Sequence, residues 1–162
     1  MYAVYENILA RLTAEKVPYK IHEHLASFTV ADAEAYLSFP LGRLVKTIAF
    51  KTRSGQYLLA AALSTSRIDY RRLAEACQTQ RTNISSLSPL EVEQVLGVEP
   101  GSVGPLNPLP EGSRVFLDAQ TNMEDSLFFG CGRPDRTLEM HFNDLLRLSH
   151  ATAAVLIKDE RD

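Results

Sequence analysis

The stretch Leu44-Val45-Lys46-Thr47-Ile48-Ala49-Phe50 decides the fold, because its apolar and β-branched composition predicts a buried β-strand. Side chains alternate between the two faces of a strand, so Lys46 shares a face with Ile48 and Phe50. A lysine on an apolar face needs a partner, water in a cleft or an anionic ligand, because an unpaired buried charge is strongly disfavoured. From this strand alone, an edge-strand lysine that discourages aggregation is an equally good interpretation.

Length and composition are those of an ordinary globular protein. The chain has 162 residues, 45% hydrophobic and 23% charged, so we expect residues 1–162 to form one domain with a real core. No apolar run approaches the roughly 20 residues that cross a bilayer, and the N-terminus lacks the regions of a signal peptide. Two cysteines are too few for a disulfide framework. We therefore expect a cytoplasmic protein.

Charge is unevenly distributed along the chain. The net charge of −3 argues against a protein that coats nucleic acid by bulk electrostatics. Residues 1–81 carry eleven Lys/Arg and seven Asp/Glu, a balance of +4, whereas residues 82–162 carry six and thirteen, a balance of −7. This asymmetry permits a local positive surface, although scattered surface charges are its commoner cause. The basic residues available for such a surface are Arg43, Lys46, Lys51, Arg53, Arg67, Arg71 and Arg72.

Hydrophobic periodicity and turn residues predict the other elements. Helices are predicted over 5–16, 29–37, 69–78, 89–96 and 143–148, and further strands over 19–24, 56–63, 114–118, 126–129, 137–141 and 152–157. Ser88-Pro89-Leu90-Glu91 has the sequence of a capping box. The strand at 56–63 follows the first across a short turn, which predicts a hairpin, and its apolar run indicates burial on both faces.

These elements do not alternate as in a doubly wound parallel sheet. We therefore predict a mixed α+β fold: a curved, mixed, largely antiparallel sheet approaching a barrel, with peripheral helices.

Two glycine-rich turns are further candidates for chemistry. Gly101-Ser102-Val103-Gly104-Pro105 offers consecutive backbone N–H groups that can bind an anion or a developing oxyanion, although an ordinary surface turn is commoner. Gly130-Cys131-Gly132 can present a thiol across from His141, but no third orienting residue is apparent, which favours a small apolar residue in a turn. His22 and His24 share a strand face, and two ligands are too few for a metal site.

These motifs together resemble one family. Lys46 in Leu41-Gly42-Arg43-Leu44-Val45-Lys46-Thr47-Ile48, the loop at 97–106 and the segment at 138–145 are similar to the YbaK/prolyl-tRNA synthetase-associated domain family of aminoacyl-tRNA editing deacylases. The likeness runs over nearly the whole chain. It departs at 130–135, where many relatives carry a Ser-Gly-Gly-Lys-Arg-Gly-like turn. Pro100-Gly101-Ser102-Val103 resembles instead the branch that removes alanine from proline tRNA.

The resemblance implies a trans-acting hydrolase that cuts the ester of a mischarged tRNA without a metal or cofactor, assisted by a ribose hydroxyl of the tRNA. It implies a small amino acid such as Ala, Ser, Thr or Cys, with proline tRNA as one carrier. The implied partners are the acceptor end of aminoacyl-tRNA and an aminoacyl-tRNA synthetase, with no membrane. The implied catalytic residues are Lys46, Gly101, Ser102, Val103 and Gly104. The implied substrate-binding residues are Tyr19, His24, Phe28, Thr47, Pro105, Asp118, Gly130, Cys131 and Gly132.

Three alternatives stay open at this point. The chain can be a non-catalytic module of the same fold that binds a synthetase, a tRNA acceptor end or an aminoacyl compound. It can also be an unrelated thiol hydrolase that uses Cys131. Asp118, at a strand end, is most simply a turn residue, and a site role for it is the minority interpretation.

Overall fold

A computed structural model describes residues 2–26, 31–32, 35 and 40–158 of the chain. Phe28 and most of the short helix predicted over 29–37 lie outside these residues. Within the described ranges, no helix combines the length and the apolar character needed to span a membrane.

Eight strands and four longer helical segments have their bounds in the described part of the chain. The strands are β1 (Lys20–Glu23), β2 (Leu44–Thr52), β3 (Tyr57–Leu63), β4 (Ile84–Ser86), β5 (Arg114–Asp118), β6 (Leu127–Gly130), β7 (Arg136–Met140) and β8 (Thr152–Ala154). The helices are α1 (Ala3–Ala14), α2 (Tyr70–Ala76), α3 (Pro89–Glu91, continued by a π-helical turn over Val92–Leu96) and α4 (Phe142–Ser149). The sequence did not predict β4, because its two serines interrupt any apolar run.

All eight strands belong to one mixed sheet with the order β1-β7-β6-β2-β3-β5-β8, in which β4 also pairs with β2. β2 and β3 pair antiparallel from Val45–Leu63 to Lys51–Tyr57, which confirms the predicted hairpin. Among the described strands, β2–β6, β3–β5 and β5–β8 are the parallel pairs, and the other four pairs are antiparallel. The sheet confirms the predicted mixed α+β class. It is not closed into a barrel, because β1 and β8, the two edge strands in this order, do not pair with each other among the described residues.

Both faces of the sheet are covered by helices. On one face, which we call the α1/α4 face, Val45, Ala61 and Phe129 pack against the two terminal helices. On the other, the α2 face, Phe50 and Ala62 pack with residues of α2. β3 runs through the middle, and its residues 58–62 are 0–1% exposed, which confirms burial on both sides.

The helix ends follow the local sequence signals. Ser88 and Glu91 exchange both hydrogen bonds of the predicted capping box, and Gly97 ends the helical segment with φ of +71°. Asp69 caps α2 by accepting a hydrogen bond from the Arg71 N–H at 2.9 Å. These boundaries need no tertiary partner, which is why the sequence predicts them well.

Candidate active site

β2 has an interrupted edge. On the side away from β3, β2 pairs with β6 at Leu44 and Val45 and with β4 from Phe50 to Thr52. Between these pairings, residues 46–48 have no strand partner on that edge among the described residues. A gap of this kind leaves main-chain polar groups available at the middle of a sheet.

The glycine loop and the glycine-flanked turn meet where β6 ends. Val45 and Phe129 are the last paired residues of β2 and β6, so Lys46 and Gly130 are the next residues on the two strands. The Gly132 N–H donates to the Ser102 carbonyl at 3.0 Å. A Cβ added at Gly104 would lie 1.7 Å from the Gly130 carbonyl oxygen. The structure therefore brings together three predicted segments that are far apart in the sequence.

The loop keeps part of its predicted hydrogen-bonding capacity. The Ser102 N–H donates to the Glu99 carbonyl at 3.0 Å, so this amide is already used within the loop. Within the described ranges, the N–H groups of Gly101, Val103 and Gly104 have no hydrogen-bond acceptor. These three amides are the donors that an oxyanion or another anionic group can use.

Buried hydroxyls without partners accompany this loop. The hydroxyl oxygens of Thr47 and Ser102 are buried and make no hydrogen bond within the described residues, and Ser102 is only 1% exposed. Buried polar groups are normally satisfied, so an exception calls for an explanation such as a substrate or water contact. The Asn107 side-chain oxygen is a third such group. Two of the three belong to residues that the sequence placed in the site.

Lys46 lies on the α2 face, as the alternation in β2 predicts, and opposite to the side chain of Thr47. Its ammonium group donates a hydrogen bond to the Ser66 carbonyl. Burial lowers the pKa of Lys46, and the positive charge of Arg67 lowers it further. The described residues provide no carboxylate within ion-pair distance of Lys46. Lys46 is thus a half-buried cation held by a neutral group.

A polar cluster that the sequence interpretation missed lies on the same face, across β6 and β7. Glu139 lies 2.7 Å from the His22 ring and accepts a hydrogen bond from Ser126. Arg43 donates to the Ser126 carbonyl at 2.7 Å and lies 4.9 Å above the ring centre of Phe128. Burial raises the pKa of Glu139, but the hydrogen bonds from Ser126 and His22 outweigh it and hold that pKa below its usual range.

This cluster was detectable in principle. Glu139 stands between Leu138 and Met140, two core residues, so alternation places it on the opposite face of its strand. The same argument drew attention to Lys46.

Other predicted binding residues lie around this region. His24 is hydrogen-bonded at both ring nitrogens, to Thr137 at 2.8 Å and to the Leu25 carbonyl at 2.6 Å. Tyr19 is half-buried against the α1/α4 core. Gly132 adopts φ of +92° and packs against α1. Pro105 lines a separate cavity of about 350 Å³ with Arg11 and residues 106–115.

The side chains of two predicted binding residues have other roles. Both carboxylate oxygens of Asp118 accept backbone hydrogen bonds, from Leu156 at 2.8 Å and Gln120 at 3.1 Å, so Asp118 is the structural turn residue that its strand-end position suggested. Cys131 is 0% exposed in the core. Burial raises the pKa of its thiol to about 12, which keeps it protonated and argues against a thiol nucleophile.

The basic residues available for a positive surface are partly paired with acids. Lys51 is paired with Glu91, Arg71 with Asp69, and Arg43 with Glu139.

Among the described residues, no group of three or more His, Cys, Asp or Glu side chains has the arrangement of a metal site.

Comparisons with known proteins identify the family and the fold. Residues 24–148 match the family model of the aminoacyl-tRNA editing domain. A protein of Bacillus subtilis strain 168, the uncharacterized protein YwhH, is 28% identical over 124 residues, which are 76% of each chain.

Two solved structures share the fold. The hypothetical protein APE2540 superposes with a TM-score of 0.82 at 20% identity, over 93% of this chain and 99% of that one. A protein described as a candidate trans-editing enzyme for prolyl tRNA synthetase superposes with a TM-score of 0.79 at 21% identity, over 98% of this chain and 99% of that one. At this identity the two structures support the fold alone, and the family rests on the match of residues 24–148 to the family model. The chain belongs to the aminoacyl-tRNA editing domain family.

Proposed function

We propose that this protein is a cytoplasmic, trans-acting aminoacyl-tRNA deacylase. In the proposed reaction, the oxygen of water adds to the carbonyl carbon of the ester that joins a wrong amino acid to the terminal adenosine. The bond from that carbon to the ribose oxygen then breaks. The ribose oxygen takes a proton, and the products are a free amino acid and an uncharged tRNA.

One observation carries this proposal: the main chain of Gly101–Gly104 packs against Gly130–Gly132 at the interrupted edge of β2, next to the backbone of Lys46. The contact between Gly104 and Gly130 leaves no room for side chains, so the loop conformation is tightly determined. A rigid set of N–H donors at this edge is suited to stabilising an oxyanion.

The proposed division of roles follows from that arrangement. Lys46 binds the substrate at the α-amino or backbone end of the site, and the amides of Gly101, Val103 and Gly104 stabilise the negative charge on the ester oxygen. The hydroxyls of Thr47 and Ser102 are available to hold the substrate or the attacking water. An ester is an activated bond, so positioning and oxyanion stabilisation can supply much of the acceleration. In line with the resemblance, a ribose hydroxyl of the tRNA assists the attack.

The test is deacylation of tRNAs that carry Ala, Ser, Thr or Cys, each on proline tRNA and on a non-proline tRNA. The native protein is compared with Lys46→Ala and with Lys51→Ala. Lys51 is a matched control because it lies on the same strand, is half-buried and pairs with Glu91 away from the proposed site. We expect one amino acid to be released, a loss of about 100-fold or more in Lys46→Ala, and native activity in Lys51→Ala.

Two outcomes would overturn the proposal. Hydrolysis of none of these substrates, together with tRNA or synthetase binding that survives Lys46→Ala, would support a non-catalytic binding module. Equal activity of the native protein and Lys46→Ala would remove the role given to this lysine. Repeating the assay with the synthetase added tests the expected partner.

A further inference from the structure

The turn that follows β3 lies directly beside Lys46. Ser66, whose carbonyl accepts the hydrogen bond from the Lys46 ammonium, immediately precedes Arg67. The turn is held on its other side by the C-terminal segment, since the Lys158 N–H donates to the Arg67 carbonyl at 2.9 Å. A bridge between Ile68 and Ile157 continues this contact. The backbone of Arg67 is therefore held in place next to Lys46.

Lys46 and Arg67 form a pair of like charges that no acid of the described residues compensates. The described residues place no carboxylate within ion-pair distance of either. Two nearby acids are already engaged: Asp69 caps α2 and lies 3.8 Å from Arg71, and Asp118 accepts two backbone hydrogen bonds. After burial, the positive charge of Arg67 is the second cause that lowers the pKa of Lys46.

We propose that Arg67 binds the phosphodiester group on the 5′ side of the terminal nucleoside of the tRNA, next to the ester held at Lys46. An anion between the two cations would offset their repulsion. The phosphate on the 5′ oxygen is the negative charge nearest to an ester on the same ribose. Arg67 is exposed, and a guanidinium can bind phosphate oxygens through two parallel hydrogen bonds. This inference rests on the proposed function and assigns part of its substrate specificity.

Three substrates with the same amino acid separate the phosphate contact from the chemistry. They are the mischarged tRNA, the amino acid esterified to the ribose of adenosine, and the amino acid esterified to the ribose of adenosine 5′-monophosphate, whose phosphate stays free. The proteins are the native chain, Arg67→Gln, Arg67→Lys and Arg53→Gln. Arg53 is a matched control: it is an exposed arginine just beyond the far end of β2, about 23 Å from Lys46 along the strand.

We compare the proteins at a pH below the lowered pKa of Lys46, where this lysine is protonated in all of them. For Arg67→Gln we expect kcat/KM to fall roughly three- to tenfold on the tRNA and on the adenosine 5′-monophosphate ester, which is the size of one charged contact. We expect no change on the adenosine ester. Arg67→Lys should keep most of the activity, and Arg53→Gln should behave as native. The slope of log kcat/KM against log salt for the tRNA should become shallower by about 0.7 in Arg67→Gln.

Loss on all three substrates would overturn the inference, because Arg67 would then act through Lys46 rather than on a phosphate. No loss on any substrate would overturn it as well. If the native protein hydrolyses none of the three, the proposed function fails, and binding of an uncharged acceptor-stem RNA by fluorescence anisotropy decides the inference. Weaker binding in Arg67→Gln than in Arg53→Gln would support the phosphate contact, and equal binding would refute it.

Discussion

The substitution Gly104→Ala tests the geometry on which the site depends. The new Cβ would lie 1.7 Å from the Gly130 carbonyl oxygen, whereas real Cβ contacts are not shorter than 3.0 Å. The loop and β6 must therefore separate by at least the difference, 1.3 Å. The atom that obstructs the methyl group belongs to the main chain, so a side-chain rotation cannot relieve the contact.

This displacement has two consequences of predictable size. Overpacking of this kind lowers the free energy of unfolding by about 1–3 kcal/mol. A misplacement of about 1 Å in a catalytic group costs about 100-fold in rate. We therefore expect Gly104→Ala to remain folded but to lose about 100-fold in kcat/KM for its mischarged tRNA.

Urea denaturation and steady-state deacylation measure the two effects in parallel. Gly42→Ala is the control, because a Cβ at Gly42 meets nothing within 4 Å and its φ is not positive. A Gly104→Ala variant with native stability and native activity would refute the close packing of the loop. A variant that is destabilised yet fully active would refute the catalytic role of the loop and leave its structural role intact.

Three further predictions follow from the charges and burial of the site. Burial and Arg67 lower the pKa of Lys46. The value of kcat/KM, corrected for uncatalysed hydrolysis, should therefore fall as pH rises through that lowered pKa. The variant Arg67→Gln should move this fall to higher pH, and an unmoved pH profile would contradict the coupling between the two residues. Burial raises the pKa of the Cys131 thiol to about 12, so Cys131→Ala should keep kcat/KM within about twofold. The same variant should lose about 1–2 kcal/mol of unfolding free energy. A variant that is folded but inactive would support a thiol mechanism after all. The pKa of Glu139 is lowered, so its stabilising effect is full above the unfolded pKa of about 4.3 and is lost as pH falls through the folded value. Urea denaturation between about pH 6 and about pH 3 should show a smaller decline in the free energy of unfolding for Glu139→Gln than for the native protein. An identical decline in the two proteins would exclude this contribution.

The sequence indicated the individual candidate residues but not how they lie relative to one another. Lys46 was recognisable because an alternating strand exposes a charge that does not fit its face. The loop at 101–104 was recognisable from its glycines. Neither feature indicates that Gly104 packs against Gly130, because that contact joins residues 26 positions apart through backbone atoms that any sequence shares.

The sequence by itself determined the features that depend on local interactions. The β2–β3 hairpin, the Ser88–Glu91 capping box and the end of the helical segment at Gly97 rest on contacts between near neighbours, which composition and spacing encode directly.

Only the tertiary structure decided which side chains are available for chemistry. It buried Cys131, engaged both oxygens of Asp118, left the hydroxyl of Ser102 without a partner and placed Arg67 beside Lys46. The physical reason is that burial, charge pairing and hydrogen-bond satisfaction depend on which distant segments surround a residue, and those segments are set by the packing of the whole sheet.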